Sequence, residues 1–294
     1  MRLLLVDGHY YLYRSFHAIQ GLANAQGQPT NALYGLTKAV RRMIQDLQPD
    51  RMLVVLDGGV PDERMELVPE YKAQRPSTPV DLAHQIDQVP ELMEALGIPM
   101  TQWIGEEADD VIASYAKAHA QGETIIASND KDLMQLVNDR VRIYQPQKEG
   151  FDLLGEKEVE EKWGVPATLI GDLLSLTGDS ADNIPGIPGV GPKTAAKWIK
   201  SHGSLTELLQ QAPTHADEKI KKAFTEHGTQ VQKNRTMVRL RNLSPLPIPI
   251  TKLLIDPQFD KQIPVFQKHN FKTFLKEAQE AWKSHQPSVQ GELF

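Results

Sequence analysis

"RLLLVD", Arg2 to Asp7, is a short apolar run that ends in an aspartate, and the chain repeats the form in "RMLVVLD" (51 to 57) and "ETIIASND" (123 to 130). A strand buried on both faces reads as an unbroken apolar run of this length, whereas a half-exposed strand alternates. Helical patterns fill the intervals. Leu33, Leu36, Val40, Met43, Ile44 and Leu47 recur at helical spacing, and so do Ile86, Val89, Leu92, Met93 and Leu96. Strands alternating with helices predict an α/β fold with a mostly parallel central sheet. Ligands of such sheets bind beyond the carboxyl ends of the strands, so Asp7, Asp57 and Asp130 are expected to converge there.

Beyond about Gly150 the pattern changes to helices in succession. Pro166 is placed to open one running through Leu176, Pro192 opens another through His202, and Ser204 with Glu207 reads as a capping box for a third. "HADEKIKKAFTEHG" (215 to 228) reads as a basic helix bounded by Gly228. The stretch "SPLPIPITKLLIDP" (244 to 257) holds four prolines and is expected to be an extended strap. Three regions follow: an α/β region over 1–165, a helical region over 166–283 and a polar, flexible tail over 284–294. Within the first, "VPDERMELVPEYKAQRPSTPV" (60 to 80) lacks a core pattern, carries Arg64, Lys72 and Arg75, and is long for a plain surface loop.

Zero cysteines exclude disulfides, thiolate zinc sites and cysteine nucleophiles. No apolar run approaches the ~18 residues of a membrane span, and the N-terminal run reaches Asp7 too soon for a signal-peptide core. A formal net charge of −6 argues at face value against a nucleic-acid partner. Its distribution argues the other way: outside nine clustered acids, Lys and Arg outnumber Asp and Glu.

Those nine are the strand-end Asp7, Asp57 and Asp130 with Glu107, Asp109, Asp110, Asp132, Asp179 and Asp182, and they fall largely in three dense groups. "GEEADDVIASYA" supplies Glu106, Glu107, Asp109 and Asp110; "SNDKDLMQL" supplies Asp130 and Asp132; "GDSADN" supplies Asp179 and Asp182. On helices, Glu107 with Asp110 and Asp179 with Asp182 would each share a face. So many like charges repel unless neutralised, and no matching basic run lies beside them in the sequence. Divalent ions are the economical counter-charge. With no Cys, and His9 the one histidine near these groups, the oxygen-rich donor set favours two or more Mg²⁺ or Mn²⁺ ions, as in a nuclease or phosphatase centre.

Directly after the last acids comes "IPGIPGVGPKTAAKWI" (184 to 199). Gly189, Val190 and Gly191 before a helix-opening Pro192 read as a helix-hairpin-helix. Its exposed N–H groups face a phosphate, with Lys193 and Thr194 beside them.

In this order, "LLLVDGHYYLYRSFHA", "VVLDG", "YKAQRP", "GEEADDVIASYA", "SNDKDLMQL" and "LTGDSADNIPGIPGVGPKTAAK" resemble the 5′-nuclease (flap endonuclease) superfamily. The likeness is greatest to the bacterial 5′→3′ exonuclease domain found at the start of DNA polymerase I, here without the polymerase half, and it runs from Leu4 to about Leu209. The resemblance implies a PIN-like catalytic core with a helical arch at about 60–80 and a DNA-binding helical region. It implies one metal site of Asp7, Asp57, Glu107 and Asp109 with Asp110 close behind, and a second of Asp130, Asp132, Asp179 and Asp182. It further implies that Lys72, Arg75 and Arg14 face phosphate, that Tyr71 stacks on a base, and that the hairpin takes K⁺. Ala181 stands where the family usually has Ser.

The implied activity is a two-metal 5′→3′ exonuclease and flap endonuclease cutting 5′ flaps, nicks and RNA-primed ends in DNA replication and repair. A PIN-type ribonuclease and a non-catalytic branched-DNA binder are the alternatives. A monomer in the cytoplasm, at the nucleoid, is expected. "QGELF" resembles the short peptides that dock on the sliding clamp, through Gln290, Leu293 and Phe294.

Overall fold

A computed structural model describes residues 1–285; Gln290, Leu293 and Phe294 lie outside the described residues. In β1 (Arg2–Asp7) the side chains of Leu3 to Val6 are wholly buried, as the apolar run requires. Next come α1 (Gly8–Ala18) and α2 (Asn31–Leu47), which buries Leu33, Leu36, Val40, Met43 and Leu47 along one stripe. The second apolar run is β2 (Arg51–Leu56). Where an unpatterned loop was expected, α3 (Asp62–Leu67) forms, followed by turns to about Ser77.

The stripe from Ile86 to Leu96 is not one helix but two, α4 (Val80–Ile86) and α5 (Val89–Leu96). Pro90 is the reason: it offers no N–H to the Ile86 carbonyl and its ring would crowd that carbonyl in a continuous helix. The chain continues through β3 (Met100–Gln102), α6 (Ala108–Ala118), β4 (Glu123–Ala127), β5 (Val141–Pro146) and β6 (Phe151–Leu154). The six strands form one sheet in the order β3-β2-β1-β4-β5-β6. β1 and β4 pair parallel with Arg2 opposite Glu123 and Val6 opposite Ala127, β4 and β5 pair parallel, and β5 and β6 pair antiparallel.

Helical structure follows: α7 (Glu156–Trp163), α8 (Ile170–Thr177), the two-residue strands β7 (Gly178–Asp179) and β8 (Ile184–Pro185), α9 (Pro192–His202), α10 (Leu205–Gln211), α11 (Glu218–Val238), α12 (Phe259–Lys268) and α13 (Lys272–His285). Ser204 caps α10 by accepting the Glu207 N–H, and Pro192 opens α9. Pro166 is followed by a 3₁₀ turn before α8 begins at Ile170. Helix α11 does not stop at Gly228. Val231, Asn234, Met237 and Val238 are buried beyond it, and that packing outweighs the ~1 kcal/mol a mid-helix glycine costs. From 244 to 257 the only helical piece is a 3₁₀ turn at Ile250–Lys252.

Two compact units result, interleaved in sequence. One comprises Met1–Asp7, Val55–Ser77 and Gln102–Pro247; the other comprises Gly8–Val54, Thr78–Thr101 and Ile248 onward. In the second unit, Phe266, Phe271 and Phe274 cluster with Tyr34, and the Gln85 side chain accepts the Ala32 N–H. In the first, β7 and β8 close a tight loop after α8. Gly178, at φ +69°, lies so close to the Gly186 N and the Ile184 carbonyl that a Cβ has no room.

Asn234 pins that loop. Almost fully buried on α11, it donates to the Ser175 carbonyl (3.0 Å) and the Pro185 carbonyl (2.7 Å) and accepts from Gln230 (2.8 Å). Asn234→Ala strands both carbonyls and is expected to cost about 2 kcal/mol. Urea denaturation checks this; an unchanged midpoint would show that water replaces the amide.

Candidate active site

Parallel, in-register pairing brings the carboxyl ends of β1 and β4 to one level, so Asp7 meets the residues that follow Ala127. Ser128 joins them: its hydroxyl donates to Asp7 Oδ2 (2.8 Å) and accepts the Asp130 N–H (3.1 Å). Asp130 Oδ1 in turn accepts the Asp132 N–H (2.8 Å), turning the chain into a 3₁₀ turn. Asp57 follows β2 and its Oδ1 holds the Gly59 N–H (2.9 Å).

Asp179 and Asp182 do not lie on an α-helix. Asp179 ends β7 and caps a 3₁₀ turn by accepting the Ala181 N–H, and Asp182 closes that turn. This turn aims both carboxylates at Asp132, and the three residues each offer an oxygen within 4.8 Å of the others.

The cost of this gathering appears in the titration of the acids. Burial, then repulsion from Asp130 and Asp179, lifts Asp132 from 3.8 to about 8. Burial and Asp182 and Asp179 likewise raise Asp130. Desolvation, then Asp130, Asp7 and Asp132, puts Asp109 well above the carboxylate range. Asp132 Oδ1 is buried without a hydrogen-bond partner. Oxygen donors that converge, resist ionisation and leave an acceptor unmatched fit a hard divalent cation.

Cations remote in sequence neutralise the other acids, although no basic run lies beside them. From α3, the buried Arg64 binds Glu107, Asp110 (3.0 and 3.2 Å) and the Arg239 carbonyl (3.2 Å). Arg241 pairs with Glu106, and its N–H reaches Asp110 Oδ1 (2.8 Å). Asp110, one residue from Asp109 on α6, is thereby spent on Arg64 and Arg241 rather than on the Asp132, Asp179 and Asp182 group. Lys131 lies 3.0 Å from Asp179. Sequence patterns point to no role for Ser128, Arg64 or Arg241; Lys131 alone has a local cue, since it stands between Asp130 and Asp132.

The turn at 70–75 is latched to the loop at 180–183. Lys72 N–H donates to the Asp182 carbonyl (3.0 Å), Asn183 to the Glu70 carbonyl (2.7 Å), and Gln74 to the Ser180 carbonyl. Lys72 binds Glu107 and lies 3.9 Å from Asp182, which Arg75 also binds. Although burial opposes the charge of Arg75, Asp182 outweighs it and raises the guanidinium's pKa. Tyr71 is not a free stacking ring. It is buried, with its hydroxyl 3.1 Å from Glu107 and 3.0 Å from Asp182, and burial and Asp182 keep the phenol protonated. Arg14 is exposed on α1, in the second unit.

Before α9 lies the turn over Ile187 to Gly191. Ile187 and Val190 are buried and anchor the turn through the Val190 N–H to the Ile187 carbonyl (3.0 Å). Gly189 (φ +74°), Gly191 and Lys193 are exposed, and Thr194 is half-buried in the first turn of α9.

Two family models together match most of the chain: "5′-3′ exonuclease, N-terminal resolvase-like domain" over residues 2–164 and "5′-3′ exonuclease, C-terminal SAM fold" over 165–261. The chain belongs to the 5′-3′ exonuclease family. A 5′-3′ exonuclease of Aquifex aeolicus is 39% identical over 210 residues, which is 71% of this chain and 72% of that protein. DNA polymerase I of Rhizobium leguminosarum is 36% identical over 290 residues, 95% of this chain and 28% of the polymerase. The chain thus spans less than a third of the length of the polymerases it matches. Among solved structures the fold is shared with the T5 D15 protein co-crystallised with metal ions (TM-score 0.70, 20% identity, 95% and 99% of the chains). It is also shared with the catalytic core of Rad2 in complex with DNA substrate (TM-score 0.62, 16% identity, 94% and 92%).

For this family member the acids generate a linkage. A carboxyl whose folded pKa is raised, as for Asp132, contributes stability that is complete below the unfolded value of 3.8 and lost as pH rises through about 8. A divalent cation replaces the protons. The Tm in EDTA is therefore expected to fall from about pH 5 to about pH 8 relative to the protein with Mg²⁺, whose gain in Tm grows over the same range. A gain of a few degrees at about pH 8 corresponds to roughly 2.7 kcal/mol at a hundredfold excess over Kd. Equal gains at both pH values would mean that the raised carboxyls are not the ligands.

Proposed function

We propose that this 5′-3′ exonuclease family member is a structure-specific nuclease that hydrolyses phosphodiesters at 5′ flaps, nicks and RNA-primed 5′ ends. The observation that carries this is the convergence of Asp132, Asp179 and Asp182 beside the strand-end acids, with Arg75 on Asp182 and Lys72 on Glu107, 3.9 Å from Asp182. The ions proposed are two or more Mg²⁺ or Mn²⁺, held by Asp7, Asp57, Glu107 and Asp109 and by Asp130, Asp132, Asp179 and Asp182. When bound, such ions supply Lewis acidity at the scissile phosphate and acidify water.

The chain's own residues do the rest. Lys72 and Arg75, which lie against Glu107 and Asp182, would present charge to the non-bridging phosphate oxygens. Tyr71 keeps its proton and holds Glu107 and Asp182 in register. The segment at about 60–80 acts as an arch over the 5′ strand. The exposed amides around Gly189 and Gly191, with Lys193, grip the duplex backbone without reading its sequence, with K⁺ as a bridging ion. Residues 1–165, together with Asp179 and Asp182, then supply the chemistry, and the rest of 166–283 the duplex grip.

Support for a DNA substrate comes from the kinship with DNA polymerase I and from the fold shared with Rad2, which was solved with DNA. Replication and repair in the cytoplasm, action as a monomer, a role for Arg14 on phosphate, and clamp docking through Gln290, Leu293 and Phe294 belong to the same proposal.

A 5′-labelled flap, a single strand and a blunt duplex, each incubated with Mg²⁺ or EDTA, test it. Mg²⁺-dependent release of a short piece cut near the flap junction is expected. Asp182→Asn is expected to lower the cleavage rate about 100-fold or more while flap binding stays within roughly threefold. Preferential cutting of unstructured RNA would support a PIN-type ribonuclease, and flap binding without cleavage in either ion would leave a DNA-holding module.

A further inference from the structure

Three clefts of the first unit adjoin one another, outside the Asp132, Asp179 and Asp182 group; the second borders Arg64 and Arg241, the partners of Glu107, Asp110 and Glu106. One, of about 570 Å³, is lined by Gln135, Thr168, Asp172, Arg235 and Arg239 among others. A second, of about 450 Å³, opens beside Glu63 and Leu67 on α3 and reaches Lys117, Thr236 and Arg239. The third, of about 570 Å³, runs from Lys117 and His119 past Gln135 to Asn138, Arg140 and Val141. Arg239 lines the first and second, Lys117 the second and third, and Gln135 the first and third, so the three make one trough. It starts at the first helix of the 60–80 segment. It ends at Gly122 and Val141, where β4 and β5 begin, which is the end of those strands opposite the acids.

The charge along it is positive and uncompensated. The Arg239 side chain makes no ion pair or hydrogen bond among the described residues. Lys117 has no acid partner either; its ammonium donates to the carbonyls of Leu240 (3.3 Å) and Arg241 (3.4 Å). Burial, then Arg239, lowers its pKa, and the more distant Asp110 only partly offsets them. The acids on the walls face cations: Asp172 faces Arg235 (3.7 Å) and accepts the Leu205 N–H (2.9 Å), Glu63 faces Arg241 (3.7 Å), and Asp139 faces Arg140 (3.8 Å). Among the described residues, no Phe, Tyr or Trp lines any of the three clefts, and the one imidazole, His119, is buried with its Nδ1 on the Thr124 hydroxyl.

We propose that this trough receives the phosphate backbone of a single-stranded 5′ tail once the tail has passed the 60–80 segment, with Lys117 and Arg239 neutralising its phosphates; this rests on the flap reading above. Charge without a stacking platform tracks a backbone and ignores its bases. The trough therefore adds affinity for long tails of any sequence and leaves the chemistry at the acids untouched.

The test uses the full chain in EDTA and fluorescence anisotropy on a nicked duplex with no tail and on the same duplex with a 5′ tail of about 20 nucleotides. Arg239→Ala with Lys117→Ala is expected to weaken binding of the tailed duplex roughly tenfold. The log–log salt slope should become shallower by about 0.7 for each tail phosphate that is no longer neutralised. Binding of the tailless duplex stays unchanged. Arg239→Glu, an exchange at an exposed position, repeats the tail-specific loss should the double variant fold poorly. Variants that match the wild type on the tailed duplex, or that lose both substrates in parallel, overturn the trough while leaving the flap reading intact. A wild type that gains nothing from a tail and cuts no flap in Mg²⁺ overturns both.

Discussion

Carboxylates gathered at the carboxyl ends of β1, β2 and β4 repel one another, and the way the fold answers that repulsion decides the rest of the first unit. Two charges about 4 Å apart cost about 4 kcal/mol at an effective dielectric of 20, so a cluster of this kind cannot persist fully ionised and alone. Part of the answer is to hold protons, seen in the raised pKa of Asp132, Asp130 and Asp109. The other part is to import cations from far along the chain: Arg64 is 43 residues from Glu107, Lys72 is 35, and Arg75 is 107 from Asp182. These pairs fold the 60–80 segment against the site.

Neutralisation of this kind is unequal, and the inequality separates scaffold from reactive parts. Arg64 and Asp110 are buried and hydrogen-bonded on several sides, so breaking that pair would leave an uncompensated charge at a cost of about 3–5 kcal/mol. Arg75 is half-exposed although its partner Asp182 is buried, so it is the guanidinium, not the carboxylate, that has room to move toward a phosphate. The geometry thus fixes α3 and α6 together and holds Lys72 on Glu107, while the half-exposed tip of Arg75 has room to change partners.

What the sequence made legible follows from which signals are local. Strand-end aspartates could be read because an apolar run and its terminal residue are contiguous, and the hairpin because its glycines and Pro192 occupy consecutive positions. The Ser204 cap was legible for the same reason. The helix break before Pro90 was equally local, but five apolar residues at helical spacing masked it. Gly228 misled in the opposite sense, since the packing of Val231 and Asn234 that carries α11 past it is tertiary. The burial of Tyr71 was illegible because its partners Glu107 and Asp182 come from other elements, and the same holds for Arg64.

Net charge misled for a related reason. A count of −6 treats every acid as a field source, yet the acids of the cluster are protonated, paired or placed to hold ions, and contribute little beyond their own site. The cations that remain are spread singly through the sequence: Lys117 on α6, Lys193 on α9, Arg235 on α11 and Arg239 just beyond it. No run of basic residues announces them. The fold collects three of the four along one trough and leaves the fourth beside the exposed amides of the hairpin. A field strong enough to guide a polyanion needs only that local density within about a Debye length of ~8–10 Å, whatever the sign of the total. An acidic protein can therefore hold a nucleic acid, provided its acids are confined to a site that has its own counter-charge.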